Sequence, residues 1–318
     1  MRKTCLLSMH ELASRDDRVV FIGSDITKRD LERMAEGYPD RFFLEGIYEQ
    51  HIVGMAAGMA LEGKIPYVNT IATFLTRRCY EQVLLDLGMH RLPVRLIGSG
   101  GGVVYAPLGS THLANEDMAI LRAIPNMTIV APCDADEMKR LMPATLAWKD
   151  PIYIRLAKGG DRVVSRPELG FEIGCAIPLR EGREGLFVTT GITTQLALDA
   201  AEQIQQETGR SWGVLHMHTV KPLDVEGLLR TVSGVQAVIT VEEHTVVGGL
   251  GSAVAEVLME SAVVRKVPFK RIGFPDVFTD EFGSQDDIMG KYGISVAGLK
   301  QTARELGKGA GTGFGLQR

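Results

Sequence analysis

The feature that most constrains this chain is an alternation of two kinds of segment. Runs that are apolar at nearly every position, VVFIG (19–23), IPYVNT (65–70), PVRLIG (93–98), MTIVAP (127–132) and PIYIRL (151–156), are separated by helical patterns at Tyr48–Glu62, Phe74–Gly88, Glu116–Ala123 and Asp134–Trp148. A strand with one wet face alternates apolar and polar side chains, whereas a strand apolar on both faces must be covered twice. Strands of the second kind, alternating with helices, predict an α/β fold: a parallel sheet between two helix layers. Asp134, directly before a helical run, fits an N-cap, because its carboxylate can accept N–H groups of the first turn.

The pattern lapses over 158–184, where KGGDRVVSRPELGFEIG and REGREG are rich in Gly and charge and read as a linker with some short strand. It then restarts with GLFVTTG (185–191), a helix at 193–208, SWGVLHMHT (211–219), a helix near 224–231, AVITVEE (237–243), a helix at 249–262, PFKRIGF (268–274) and a last helix over about 295–306. The expected organisation is a first α/β domain at 1–165, a linker at 166–184, a second α/β domain at 185–306 and a flexible tail at 307–318. The tail, GKGAGTGFGLQR, has too much glycine to offset the entropy of ordering it. With 318 residues, each domain is large enough to bury a core.

A net charge of −4, with both signs mixed along the chain, gives no basic surface to hold a nucleic-acid backbone. No run of about 18 apolar residues suits a membrane span. The opening MRKTCLLSMHELASRDD imitates a secretory leader, but its apolar stretch is short and charges follow at once, so it is expected not to be one. Cys5, Cys79, Cys133 and Cys175 are far apart with no CxxC pair, which fits reduced thiols of a cytoplasmic protein rather than a disulfide frame or a zinc site.

The most informative stretch is EGIYEQHIVGMAAGMALEGKIPYVNT, followed by TFLTRRCYEQV. Glu49 opens a helix, where the dipole favours a carboxylate. Gly54, Ala57 and Gly58 are small enough for another helix to pack closely. An exposed first-turn carboxylate on an ordinary core helix would also account for these residues. The order of segments narrows this, together with GSTHLANEDMAILRAIPNMTIVAPCDADEM and VEEHTVVGGLGSAVAE further on. It resembles the pyrimidine-binding and C-terminal domains of transketolases and 1-deoxyxylulose-5-phosphate synthases, co-linear from Arg2 to about Leu306. The resemblance implies a parallel-sheet first domain and a second domain with a mixed sheet.

It also implies thiamine diphosphate. That cofactor reacts at its thiazolium C2, which its own aminopyrimidine deprotonates once a carboxyl group at N1′ favours the imino form, so the protein must supply one partly buried acid. By resemblance Glu49 is that acid, Ile47 wedges the cofactor into its bent shape, Phe74 stacks on the pyrimidine and Tyr80 forms a second wall. Core packing is the plain alternative for Phe74. Asp25, in GSDIT, matches a family aspartate near the cofactor and could equally cap a helix at 28–36. His112 resembles the histidine beside the donor sugar's oxygens, where an imidazole can move or stabilise a proton. Arg155, at the C-terminal end of a strand, resembles the arginine that holds a substrate phosphate. Arg77, and Arg2 with Lys3, match further substrate-side positions.

Two departures concern the donor. Transketolases carry a second histidine upstream of the Gly-x-Thr-His segment and an aspartate four residues before its histidine, where this chain has the glycines of GSGGGVVY and Leu108. The glycine run lacks the Lys-Ser/Thr of a phosphate loop. An absence concerns the metal. The family holds the diphosphate through Mg²⁺ with a Gly-Asp-Gly motif and a later Asn in its other domain; no Gly-Asp-Gly occurs here, and Gly160-Asp161 is followed by Arg162. The expectation is therefore the C-terminal (β) subunit of a split transketolase, a transferase moving a two-carbon ketol unit from a ketose, expected to be phosphorylated, to an aldose. Its partner would be an N-terminal subunit that carries the diphosphate site and holds Mg²⁺, in an α2β2 assembly. Rival readings are the β subunit of a 2-oxo acid dehydrogenase first component, a synthase-like condensation of pyruvate, and a non-catalytic half.

Overall fold

A computed structural model describes residues 1–24, 30–261, 267–279 and 282–309. The first domain contributes α1 (Arg2–Arg15), β1 (Val19–Gly23), α2 (Glu32–Gly37), β2 (Phe42–Leu44), α3 (Glu49–Leu61) and β3 (Ile65–Ile71). It continues with α4 (Tyr80–Gln82), β4 (Arg95–Ser99), α5 (Asp117–Arg122), β5 (Thr128–Val130), α6 (Ala135–Ala144) and β6 (Ile152–Leu156). Strands β5, β6, β4, β3, β1 and β2 lie side by side in that order, all parallel. Successive residues serve opposite faces. Phe21, Tyr67, Ile97 and Ile154 join Leu6, Met9, Met138 and Leu141 of α1 and α6 on one side. Ile22, Val68, Leu96 and Tyr153 join Ile52, Ala56 and Met118 of α3 and α5 on the other. This double covering is why the strands read as unbroken apolar runs.

The second domain contributes β7 (Ile177–Arg180), β8 (Gly185–Thr189), α7 (Thr193–Thr208), β9 (Trp212–His216), β10 (Thr219–Lys221), α8 (Val225–Val232), β11 (Val238–Thr245), α9 (Leu250–Glu260), β12 (Phe269–Phe274), α10 (Gln285–Lys291) and α11 (Val296–Gly309). Its sheet order is β12-β11-β8-β9-β7, parallel except that β7 runs antiparallel to β9, so the sheet is mixed. Among the described residues no helix is long and apolar enough to cross a membrane.

The structure differs from the sequence expectation in four places. The leader-like N-terminus is helix α1, burying Cys5, Leu6, Met9, Leu12 and Ala13, a helical spacing hidden by a strongly polar outer face. Met217 and His218 interrupt the single strand expected at 211–219. Its last part, β10, leaves the second sheet and pairs antiparallel with β5, so the second domain completes the sheet of the first. The stretch expected as an ordinary helix over Phe74–Gly88 is wound as π-helix over Phe74–Arg78 and Val83–Met89, flanking α4. Finally, a Cβ built on Gly54 or Gly58 meets nothing within 4 Å, so among the described residues no helix uses the close approach those glycines allow. The last helix extends to Gly309; the remainder of the expected tail, 310–318, and part of the expected helix at 28–36 lie outside the described residues. Asp134 does cap α6, accepting from the N–H groups of Asp136 and Glu137 at 2.9 Å.

Candidate active site

Three separate segments meet at one point beyond the C-terminal edge of the first sheet. Glu49 is the first residue of α3 and is 1% exposed. Among the described residues its one hydrogen-bond partner is Arg78, whose Nη1 donates to Oε2 at 2.7 Å. The Arg78 guanidinium also lies 4.2 Å from the centroid of the Phe74 ring, within cation–π range. The Phe74 ring meets the His112 imidazole edge-on, with centroids 5.3 Å apart. Glu49, Phe74 and His112 are therefore brought together, joined by Arg78, a residue the sequence reading passed over. Its signal was available: a second arginine beside Arg77 has to place its charge somewhere.

His112 sits on a loop whose base is closed by a two-way backbone bridge between Gly102 and Ala114, at 3.0 and 2.9 Å. The loop is tied from outside. Thr73 Oγ1 donates to the His112 carbonyl at 3.0 Å, and Arg77 Nη2 donates to the carbonyls of Thr111 and Leu113 at 3.1 and 3.4 Å. The Arg77 Nε also pairs with Glu116 at 3.1 Å, and burial raises the pKa of that carboxyl. Arg77 thus braces the loop and lines a cleft of about 500 Å³ between the two domains.

Arg155 corrects an expectation. It is 7% exposed, its Nε donates to Asp117 Oδ2 at 2.8 Å, and its Nη2 donates to the carbonyls of Ala114 and Glu243 at 3.0 and 2.9 Å. Asp117 also accepts from the Tyr153 hydroxyl at 2.7 Å. A guanidinium bonded in this way, inside the domain junction, is not placed to grip a substrate phosphate; it pins the base of the His112 loop. The glycine run belongs to the same packing. A Cβ on Gly101 would lie 2.6 Å from the Arg155 side chain, and one on Gly102, at φ +66°, would lie 2.4 Å from Glu243. Glu243 accepts from the Val103 N–H and from Gln285, both at 2.8 Å. Burial pushes its carboxyl up to about 7. Basic groups are instead found at a separate cavity of about 300 Å³, where Arg2 and Lys158 share the walls with Gly100, Tyr105 and Leu108. Lys158 lies just beyond β6, the strand-end position that drew attention to Arg155.

The other expected residues are dispersed. Ile47 is 63% exposed just before α3, beside Tyr48 at 69%. Tyr80 packs partly buried against the apolar cluster of Ile52, Val83 and Leu87, and among the described residues no ring contact joins it to Phe74. Asp25 lies outside the described residues.

Cys133, Glu137 and His216 offer ligand atoms within 4.8 Å of one another, all buried. The group is closed on itself: Glu137 Oε2 accepts from the Cys133 N–H at 2.7 Å and bonds His216 Nε2 at 2.9 Å. Burial and the adjoining carboxylates hold the Cys133 thiol firmly protonated. It reads as a clamp between α6 of the first domain and β9 of the second.

The residues fit one end of thiamine diphosphate. A buried carboxyl group with one half-exposed partner and an aromatic face beside it suit the aminopyrimidine. Glu49 would hold N1′, and Phe74 would pack on the ring. Among the described residues, Glu49 is paired with Arg78 and Glu116 with Arg77, so no set of oxygen ligands for a diphosphate-bound cation is formed at this point.

The chain was also compared with known proteins as a whole. The family described as "Transketolase, pyrimidine binding domain" matches residues 1–160, and "Transketolase, C-terminal domain" matches 174–299. A putative uncharacterized transketolase family protein of Sinorhizobium fredii is 40% identical, over 94% of this chain and 86% of its own length. The 6-deoxy-6-sulfo-D-fructose transketolase subunit of a Clostridium strain is 36% identical, over 96% and 94%. The 1-deoxy-D-xylulose-5-phosphate synthase of a Synechococcus strain is 38% identical, but this chain spans only 45% of it. Among solved structures, a split gene transketolase described as an inactive beta4 tetramer superposes with TM-score 0.87 at 32% identity, covering 96% of this chain and 97% of that one. The transketolase of Leishmania mexicana, at 20% identity and TM-score 0.81, shares the fold. With both domains matched and relatives covered nearly from end to end, the chain belongs to the transketolase family.

Proposed function

We propose that this chain is the C-terminal subunit of a two-subunit, thiamine diphosphate-dependent transketolase that moves a two-carbon ketol unit from a ketose, preferably a phosphorylated one, to an aldose. The observation that carries this reading is the convergence of Glu49, Phe74 and His112 from three segments. When bound, the cofactor supplies the carbanion equivalent that no side chain can provide. Glu49 holds the proton at N1′, Phe74 fixes the ring, and burial of Glu49 excludes water from the exchange. His112, its Nδ1 bonded to Thr111 Oγ1 at 2.9 Å, keeps Nε2 for the sugar's oxygens, where it moves a proton as the C2–C3 bond breaks. The departures at the glycine run and Leu108 concern the donor's hydroxyls. In place of Arg155, Arg2 and Lys158 at the 300 Å³ cavity supply the charge for a phosphate.

The partner subunit carries the diphosphate and Mg²⁺ sites. Three features support this: the missing Gly-Asp-Gly motif, relatives described as subunits, and the exposed apolar Ile47 and Tyr48 next to Glu49. Mixing the chain with a protein that bears the Gly-Asp-Gly motif, thiamine diphosphate and Mg²⁺ should create ketose-to-aldose transfer that neither protein shows alone. Full transfer by this chain alone would remove the two-subunit reading. Turnover of pyruvate instead of a ketose would favour the synthase-like condensation.

A further inference from the structure

We infer that Arg78 is an internal stand-in for the cofactor, holding Glu49 and Phe74 until the aminopyrimidine displaces it. This rests on the reading of Glu49 and Phe74 as cofactor contacts. The two contacts that a pyrimidine ring would need, a hydrogen bond to the Glu49 carboxyl group and the face of Phe74, are both already made by one guanidinium, at 2.7 Å and 4.2 Å. A guanidinium is planar, donates to carboxylates and stacks on rings, so it can make both contacts at once. It cannot share them: a ring bonded to Glu49 and packed on Phe74 has to occupy the same space.

The local winding explains how Arg78 gets there. Phe74 and Arg78 begin and end a π-helical segment, which turns the arginine back over the ring. Their exposures differ in a way that permits exchange. Glu49 is buried and cannot follow solvent, whereas the Arg78 side chain is 44% exposed and has a flexible stem that can swing outward. The neighbouring Arg77 is tied to Glu116, Thr111 and Leu113 and has no such freedom. A stand-in also solves a folding problem. Without a partner, Glu49 would be a buried carboxylate with nothing to compensate it, which is costly. Arg78 supplies that compensation before assembly.

The test is binding, not turnover. The affinity of the cofactor-free, reconstituted complex for thiamine diphosphate in Mg²⁺ is measured by titration calorimetry for wild type, Arg78→Ala and Arg78→Gln. Removing a competitor that holds one charge-assisted bond, partly screened by solvent, should tighten binding by roughly 3–30-fold. Arg78→Ala should also lower the thermal midpoint of the cofactor-free complex, with the loss recovered on adding cofactor. Arg78→Gln loses the charge and the guanidinium face over Phe74 and keeps only a neutral hydrogen bond to Glu49, so it should stay folded and tighten binding in the same direction by a smaller factor, which carries the test if the alanine variant does not assemble. Weakened binding in a folded variant would make Arg78 a contact of the bound state, and unchanged binding would make it a bystander; either overturns the inference. The underlying reading is checked separately by Glu49→Gln. If that variant exchanges the cofactor's C2 proton normally, the reading of Glu49 fails; if it exchanges slowly while the Arg78 variants bind as wild type, only the stand-in fails.

Discussion

Replacing Arg155 by methionine separates two roles that the sequence could not. In the structure the guanidinium is buried, with one bond to the Asp117 carboxylate at 2.8 Å and two to backbone carbonyls at 3.0 and 2.9 Å. Methionine fills much of the same volume but leaves Asp117, 0% exposed, with the Tyr153 hydroxyl as its one side-chain hydrogen-bond partner among the described residues and the buried His244 imidazole 3.8 Å away. Breaking a buried pair from one side costs about 3–5 kcal/mol. The two carbonyl bonds belong to the same group, so their contribution of about 1.5–3 kcal/mol each does not simply add. A loss of about 3–5 kcal/mol is a large part of a stability of about 5–15 kcal/mol. The assay is denaturant unfolding followed by circular dichroism, beside steady-state kinetics of the reconstituted complex. Arg155→Met should unfold at clearly lower denaturant, and replacing Asp117 by leucine as well should restore part of the loss. The KM for a phosphorylated donor should change little in the surviving folded protein, whereas Lys158→Ala should raise it about tenfold, as loss of one charge-assisted contact predicts. A wild-type unfolding midpoint for Arg155→Met, with a KM raised tenfold or more, would refute the structural role and return the phosphate to Arg155.

Two further outcomes follow from named groups. Glu49→Gln keeps one hydrogen bond but cannot exchange a proton with N1′, so exchange at C2 of bound cofactor, read by hydrogen–deuterium exchange, should fall by at least about a hundredfold while assembly survives. At the domain clamp, burial alone would raise the Glu137 carboxyl, but the charge and hydrogen bond of His216 overcome it and hold it at about 2. A carboxyl depressed in the folded state adds stability that is present above its unfolded value near 4.5 and lost as pH falls through about 2. Glu137→Gln should therefore flatten the acid limb of stability between those values; unfolding midpoints taken across that range that still fall as steeply as wild type would show that another group carries it.

The parts of the fold legible in the sequence are those that depend on near neighbours. An apolar run such as VVFIG is a buried strand whatever lies far off in the chain, and β1 occupies the same residues. Asp134 before a helical run is a local arrangement, and it caps α6. Helix α1 escaped notice because its apolar stripe is diluted by Arg2, Lys3, His10 and Glu11, and the start of a chain invites comparison with a leader. Strand β10 was hidden for a different reason: nothing in HMHTVK says that the chain changes sheets after His216. Its place is set by β5, some ninety residues earlier.

The same distinction explains how the candidate site was read. Glu49, Phe74 and His112 could be named because each lies in a recognisable stretch, but a stretch does not say what its neighbours do. Arg155 stands at a strand end, where ligands often bind in parallel sheets. The strand end of β6, however, faces the second domain here, and a cation entering that junction meets Asp117 before it can meet a substrate. The partners that decide this, Ala114 and Glu243, are 41 and 88 residues away along the chain. The glycines of GSGGG make the same point from the opposite side. They have the look of a ligand loop, yet Gly101 and Gly102 lie where a methyl group would collide with Arg155 and Glu243. Their small size serves the closure of two domains around a buried ion pair. A substrate cation in this chain must therefore be sought among groups the junction leaves accessible. Arg78, whose side chain is 44% exposed, and Lys158, which lines an open cavity, meet that condition, and Arg155 does not.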